Sequence, residues 1–208
     1  MTWLKGGPYY ELSFLLRNTE PKSKLAKNVM ELLHQLNFDF KIISNLVEVE
    51  KKVDLFEIGE KNDDIIYRSF EINVEFDISG KRKSRLFIEE LSDELSKLSF
   101  CFFGALQDAP EWDQIGIKNV DKVAFRRLFE CIVKNINPIL GTIAYDEDCS
   151  ALFELEETFP NKKYSLKELS IEKIYKKINN TINEFEFCWI NGKEFDESSD
   201  IEFEIQTI

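Results

Sequence analysis

Six acidic residues lie close together within residues 141–157, and carboxylate oxygens can bind divalent cations or exchange protons with a substrate. They are Asp146, Glu147, Asp148, Glu154, Glu156 and Glu157. The run "YDEDC" at 145–149 is the best candidate, with Asp146, Glu147 and Asp148 as metal ligands or as an acid–base pair. A calcium loop would need a longer series of oxygen ligands around a central glycine, which this run lacks. We therefore expect a solvated turn at a strand end, with a carboxylate- or metal-dependent enzyme as the alternative.

Most other catalytic patterns are missing from the sequence. It contains no G-x-x-x-x-G-K-[ST], G-x-G-x-x-G, G-x-S-x-G or H-E-x-x-H motif. His34 is the only histidine, and it lies beside the apolar stripe of a predicted helix, which is typical of a surface or core-edge residue. The four cysteines, Cys101, Cys131, Cys149 and Cys188, form no C-x-x-C pair, so we expect free thiols and no zinc site. These patterns argue against an enzyme and predict no cofactor.

Composition and charge limit the class of protein. The chain has 208 residues, of which 43% are hydrophobic and 13% aromatic, so it can bury a core in one large domain or two small ones. A net charge of −12 disfavours nucleic acid and anionic membranes as partners. The start "MTWLKGGPYY" is unlike a signal peptide, and no stretch reaches the ~18 apolar residues of a membrane span. We therefore expect a cytoplasmic protein.

The order of elements predicted for residues 1–108 indicates an α+β fold. Alternating apolar residues predict strands, and apolar residues three and four positions apart predict helices. The predicted elements are a strand at 10–17, a helix over 25–36, a weaker strand at 53–60, a strand at 70–78, a helix from Ser84 to Leu98, and a strand at 99–108. The two middle strands read as a hairpin. This is the ferredoxin-like βαββαβ order, which predicts an antiparallel-rich sheet covered by helices on one face.

Residues 109–208 predict a second, related or extended α+β half. Asp121 caps a helix that Pro138 ends, and "ILGTIAYDE" is a strand leading into the acidic run. The capping box Ser165–Glu168 opens another helix, and "NEFEFCWI" and "IEFEIQTI" are closing strands. No flexible Gly/Ser linker separates 1–108 from 109–208, so we expect the two halves to pack as one compact unit.

The acids on the predicted strands follow a pattern. At outward positions the strands carry seven acids and no Lys or Arg: Glu71, Glu75, Asp77, Glu184, Glu186, Glu202 and Glu204. Solvated sheet faces usually mix charges, because like charges across neighbouring strands repel each other. In one interpretation these acids only confer solubility, or meet lysines from elsewhere. In the other they form a docking face that steers a basic protein, with Trp112 as an apolar anchor.

We therefore predict an acidic protein-interaction module, such as an inhibitor, an immunity-type antidote or an adaptor. The carboxylate- or metal-dependent enzyme at 145–149 is one alternative. A small-ligand sensor with an apolar pocket between the two halves is another. Partner identity and oligomeric state do not follow from the sequence.

Overall fold

The computed structural model describes residues 9–36, 38–62, 65–103, 117–152, 185–190 and 193–195. These residues form a mixed α+β structure with a large antiparallel sheet and three helices. The helices are α1 (Lys22–Gln35), α2 (Leu46–Ile58) and α3 (Asn119–Ile136), and a short 3₁₀ helix spans Cys149–Leu152. The strands are β1 (Tyr9–Arg17), β2 (Phe40–Ile42), β3 (Glu60–Asn62), β4 (Ile65–Tyr67), β5 (Ser69–Asp77), β6 (Lys81–Glu90), β7 (Leu95–Phe103), β8 (Leu140–Tyr145), β9 (Phe185–Ile190) and β10 (Lys193–Phe195).

Eight strands form the main sheet in the order β10-β9-β8-β1-β7-β6-β5-β2, and every neighbouring pair is antiparallel. Strands β3 and β4 make a separate hairpin. Strand β1 lies between β7 and β8, so residues on both sides of position 108 contribute to one continuous sheet. The division into two related halves stays a prediction.

The main core lies between one face of this sheet and the three helices. Val29 of α1, Phe56 of α2 and Phe129 of α3 belong to the same buried cluster as Phe14 of β1. The rings of Phe14 and Phe129 stack with centroids 4.8 Å apart. Large aromatic side chains bury much apolar area, so the main stabilising term of this fold lies at the helix–sheet contact.

Alternation along 70–78 predicted its strand correctly. In β5, Phe70, Ile72, Val74 and Phe76 are all buried against the helices. The strand prediction for 10–17 is also confirmed, but both faces of β1 are buried, which alternation did not indicate.

The strand predicted at 53–60 is wrong, because residues up to Ile58 belong to helix α2. The Asn45 side chain accepts a hydrogen bond from Val47 N at 2.9 Å, which satisfies a donor of the first turn. Val49, Val53 and Phe56 follow at helical spacing and are buried, so tertiary packing selects the helix.

The helix predicted from Ser84 to Leu98 is also wrong. Residues 81–90 and 95–103 are the neighbouring strands β6 and β7, and Ser79 and Gly80 have positive φ in the turn that joins β5 to β6. Ile88, Leu91, Leu95 and Leu98 fit helical spacing, but the pairing of β6 with both neighbours requires extended backbone. The predicted 53–78 hairpin is absent, since β5 pairs with β2 and β6. The ferredoxin-like βαββαβ arrangement is therefore not confirmed.

Several predictions for the second half are confirmed. Helix α3 buries Phe125, Leu128, Phe129, Ile132 and Val133 as its spacing indicates. It ends where Asn137 adopts the left-handed region at φ 44°, one residue before Pro138. The predicted cap Asp121 lies inside the first turn instead and accepts a hydrogen bond from Lys118 N at 2.9 Å. The helix opened at 165–168 and the strand at 201–208 lie outside the described residues. No described helix is long and apolar enough to cross a lipid bilayer.

Candidate functional site

The acids of β5 meet cations of the neighbouring strand. Glu71 Oε1 lies 3.2 Å from Arg85 Nε, and Glu75 Oε1 lies 3.9 Å from Lys81 Nζ. Residues 81–90 form a strand rather than a helix, so their basic residues lie in register with β5. Lys83, for example, lies directly opposite Glu75 on the neighbouring strand. This part of the sheet therefore mixes charges, in the way that solvated sheet faces usually do.

The remaining predicted partner-binding residues are dispersed. Asp77 Oδ1 accepts a hydrogen bond from Gly80 N at 3.1 Å and so stabilises the β5–β6 turn. Glu186 accepts a hydrogen bond from Tyr10 Oη at 2.6 Å and pairs with Lys122 of α3, on the helix-covered side of the sheet. Burial and then this hydrogen bond raise the pKa of Tyr10. Glu184, Glu202, Glu204 and Trp112 lie outside the described residues, so their contribution to partner binding stays a prediction.

Residues 146–152, here called the strap, fold back over the sheet face opposite the one that α1, α2 and α3 cover. Asp146, with φ 50°, accepts a hydrogen bond from Tyr9 N at 2.8 Å through Oδ1. Cys149 N donates to Ser13 Oγ at 2.8 Å. Cys149 and Leu152 are buried in a second apolar cluster on this side of the sheet. The acidic run is therefore a turn at the end of strand β8, as predicted, in which Asp146 stays exposed. The 3₁₀ helix that follows is docked on β1 through Cys149, which the sequence did not indicate.

Asp148 anchors the strap through a shielded ion pair. Its Oδ2 lies 2.7 Å from Lys97 Nζ, and the same ammonium group lies 3.5 Å from Glu89 Oε2. Burial works against the charged form of Asp148, but the Lys97 charge and hydrogen bonds from Ser150 outweigh it and hold its pKa below the usual value. Among the described residues, no group of three or more His, Cys, Asp or Glu side chains is placed to hold a metal ion.

Glu11 is a functional candidate that the sequence did not reveal, because alternation along β1 placed it on a solvated face. Its residue is only 4% exposed, and its Oε2 accepts a hydrogen bond from Cys101 Sγ at 3.3 Å. Burial, and then the negative charge of Asp148, raise the pKa of Glu11 to about 7, against the opposing effect of Lys97. Glu11 therefore changes its charge near neutral pH.

Two carboxyl groups with pKa values shifted in opposite directions also occur in acid–base catalytic sites. Here, however, Lys97 neutralises Asp148, and Glu11 is almost inaccessible to a substrate in this conformation. The arrangement therefore favours a structural or regulatory role over catalysis at 145–149.

A cleft lies between the end of β1, helix α1 and the end of α3. Its volume is 410 Å³, within the range of about 300–1,000 Å³ that is typical of small-molecule sites. Arg17, Asn28, Gln35 and Asn135 contribute polar groups to its wall. The predicted ligand sensor had an apolar pocket, whereas the wall of this cleft is mixed, with Leu16, Leu25 and Leu32 beside these polar groups. The sensor therefore stays a prediction.

The outer face of α2 exposes an unusual number of apolar side chains. Leu46 and Ile58 are each 70% exposed, Val47 is 59% exposed and Leu55 is 43% exposed. Ile66 of the β3–β4 hairpin is 47% exposed and lies beside Gly59, directly after the helix. These residues, together with Glu48, Glu50, Lys51 and Asp54 between them, are here called the α2 surface.

The charges of the α2 surface are mostly negative. Glu48, Glu50 and Asp54 are exposed and form no ion pair with any described residue, whereas Lys51 is the one cation among them. Val47 and Ile58 lie on the same side of the helix, about 16 Å apart along its axis at 1.5 Å per residue. Helix α2 also buries Val49, Val53 and Phe56 against the sheet, so it carries apolar side chains on its outer side in addition to its core face.

No protein-family model, curated protein or solved structure matches the chain. The functional argument therefore depends on the residues themselves. The α2 surface and the strap are the features of the described residues that carry it furthest.

Proposed function

We propose that the protein is an interaction module that binds a basic protein partner through the α2 surface. The observation that supports this most directly is the exposure of Leu46, Val47 and Ile58 among acids that form no ion pair with the described part of the chain. An inhibitor, an immunity-type antidote and an adaptor all work through such a contact, and they differ in the partner that they bind.

The apolar residues of the α2 surface supply the driving force for association. Single exposed apolar residues are ordinary, but several on one side of a helix, here Val47, Leu55 and Ile58, are more typical of interaction sites. Covering this group removes apolar area from water, which stabilises a complex by about 25 cal/mol per Å² before the costs of association. Leu46, Val47 and Ile58 have the most exposed area to lose, and they are the proposed anchors.

The charges of the α2 surface select the partner. Glu48, Glu50 and Asp54 attract cations, and the net charge of −12 steers a basic protein toward the chain. A second copy of this chain would carry the same negative charge, so electrostatic repulsion opposes self-association. Glu71 and Glu75 contribute less to the proposal, because Arg85 and Lys81 already lie beside them.

The test is a pull-down from the native host's lysate with paired variants of the same chain. Val47→Ser with Ile58→Ser removes two anchors, and Glu50→Lys with Asp54→Lys reverses the charge. Val120→Ser with Val123→Ser is the matched apolar control, since these α3 residues are 76% and 58% exposed. All of these positions are exposed, so each substitution is expected to change the free energy of unfolding by only about 0.5 kcal/mol or less.

The expected result is a basic protein that the wild type and the α3 control retain at low salt. Both α2 variants and a high-salt wash should lose it, because apolar burial and charge both contribute. Retention of the same proteins by all variants would overturn the proposal. So would a concentration-dependent wild-type dimer that Val47→Ser with Ile58→Ser converts to a monomer, since a second copy would then be the occupant.

A further inference from the structure

The strap closes over a polar strip of the sheet through contacts that depend on charge. Asp148 reaches Lys97 at 2.7 Å, and Ser150 Oγ lies 3.3 Å from the same ammonium group. Cys149 N donates to Ser13 Oγ at 2.8 Å. The sheet end of every one of these contacts belongs to β1 or β7, the central strands of the sheet.

Glu11 lies on the same face of β1 as Ser13, two residues along the strand, and next to Cys101 of β7 in register. The described titratable and charged groups around it are Lys97 and Cys101 of β7, Arg85 and Glu89 of β6, Tyr9 of β1, and Asp146, Asp148 and Cys149 of the strap. A negative charge on Glu11 repels Asp148 and attracts Lys97, the cation that holds Asp148. The protonated form of Glu11 has neither effect.

We propose that the strap is a pH-sensitive latch, which closes when Glu11 is protonated and loosens when Glu11 loses its proton. Opening exposes Glu11 to water and removes the Asp148 charge from its surroundings, so the ionised form is better tolerated in the open state. The latch therefore couples the charge of one buried carboxyl group to access to Lys97 and to the apolar cluster beneath Leu152.

The size of the effect follows from the two protonation equilibria. The pKa of Glu11 is about 7 in the closed state, and an open strap that exposes the carboxyl group to water would return it to the ordinary glutamate value of 4.5. The closing equilibrium constant then falls about tenfold between pH 6 and pH 8. This fall is the upper part of a wider change, because the closed state keeps a proton that the open state has released over the range from about pH 4.5 to 7.

Hydrogen–deuterium exchange measured on the wild-type chain at pH 6 and pH 8 tests the latch. The informative amides are those of Cys149, bonded to Ser13 Oγ, and Ser150, bonded to Asp148 Oδ1 at 2.6 Å. After correction for the intrinsic pH dependence of exchange, their protection should fall about tenfold at the higher pH, while the amides of β5 keep theirs.

Glu11→Gln keeps the shape of the side chain and removes its charge, so strap protection should then be equal at the two pH values. Glu31→Gln on the exposed face of α1 is the matched control and should behave as the wild type. Wild-type strap protection that does not change with pH would overturn the proposal without any variant. A uniform loss over strap and β5 would also overturn it, because the whole fold rather than a latch would then respond.

Discussion

The buried ion pair between Arg82 and Asp121 allows a quantitative test of how the sheet holds α3. Arg82 is 3% exposed, its Nη2 lies 3.0 Å from Asp121 Oδ2, and its Nε donates to Ile78 O at 2.9 Å. Asp121→Asn removes the negative charge but keeps an oxygen that can accept the hydrogen bond from Lys118 N. The guanidinium group then loses the charge of the carboxylate that lies 3.0 Å away, and breaking a buried ion pair from one side costs about 3–5 kcal/mol. A domain of this size is stable by only about 5–15 kcal/mol, so the loss is large.

Urea unfolding of four proteins, followed by circular dichroism, measures this loss: wild type, Asp121→Asn, Arg82→Met and the double variant. The double variant should be more stable than Asp121→Asn, because the methionine side chain carries no charge and fills a similar volume against Phe125, over whose ring the guanidinium now lies at 5.6 Å. Comparable m-values would show that the same surface unfolds in each case.

The exposed pair of Arg126 and Glu130, four residues apart on α3 with Nε and Oε1 at 3.2 Å, is the matched control. Glu130→Gln should cost at most about 0.5 kcal/mol, since water screens this pair. The reasoning fails if Asp121→Asn costs no more than Glu130→Gln, or if Arg82→Met does not recover stability in the Asp121→Asn background.

Three further predictions concern stability. The pKa of Glu11 is about 7 in the folded state and 4.5 in the unfolded state, so the folded state binds more protons and the free energy of unfolding falls as pH rises from about 4.5 to 7. Urea unfolding at pH 8 should therefore show Glu11→Gln to be more stable than wild type by up to about 3 kcal/mol, and this gain should be gone at pH 4. An equal gain at both pH values would contradict the prediction. Gly141→Ala should lower the free energy of unfolding by about 1–3 kcal/mol, because the new Cβ would lie 2.6 Å from Phe129 Cζ. Thermal melting measures this loss, which should be smaller when Gly141→Ala is made in a Phe129→Leu background. Asn137→Gly should raise the melting temperature through a gain of about 1 kcal/mol, since glycine adopts φ 44° without the steric cost of a side chain, and a lower melting temperature would show that the Asn137 side chain stabilises the cap.

The spacing of apolar residues was sufficient to predict a strand or a helix where only one of the two periodicities fitted the segment. The strict alternation of Phe70, Ile72, Val74 and Phe76 allows only a half-buried strand, and the spacing of Phe125 and Phe129 suits only a helix. Composition likewise indicated a globular protein with a substantial core and a negative charge, and the order of the predicted elements indicated the α+β class. These properties belong to the residues themselves and need no knowledge of their neighbours in space.

Prediction from the spacing of apolar residues failed where both the helical and the strand periodicity fitted the same residues. Ile88, Leu91 and Leu95 satisfy a helix and, with a turn between them, two strands, and only pairing with β5 and β1 decides between these states. The error changed the interpretation of the acids, because a helix at 84–98 would have left Glu71 without Arg85 beside it.

The sequence by itself determined the α+β class, the acidic charge and the strongly periodic elements, since these depend on residues near each other in the chain. Only the tertiary structure decided which charges meet. Glu11 and Asp148 come near each other because β1 lies beside β8, and Arg82 meets Asp121 because the first turn of α3 lies beside the start of β6. Strand order and register set such contacts over long sequence separations, and periodicity within one segment carries no information about them.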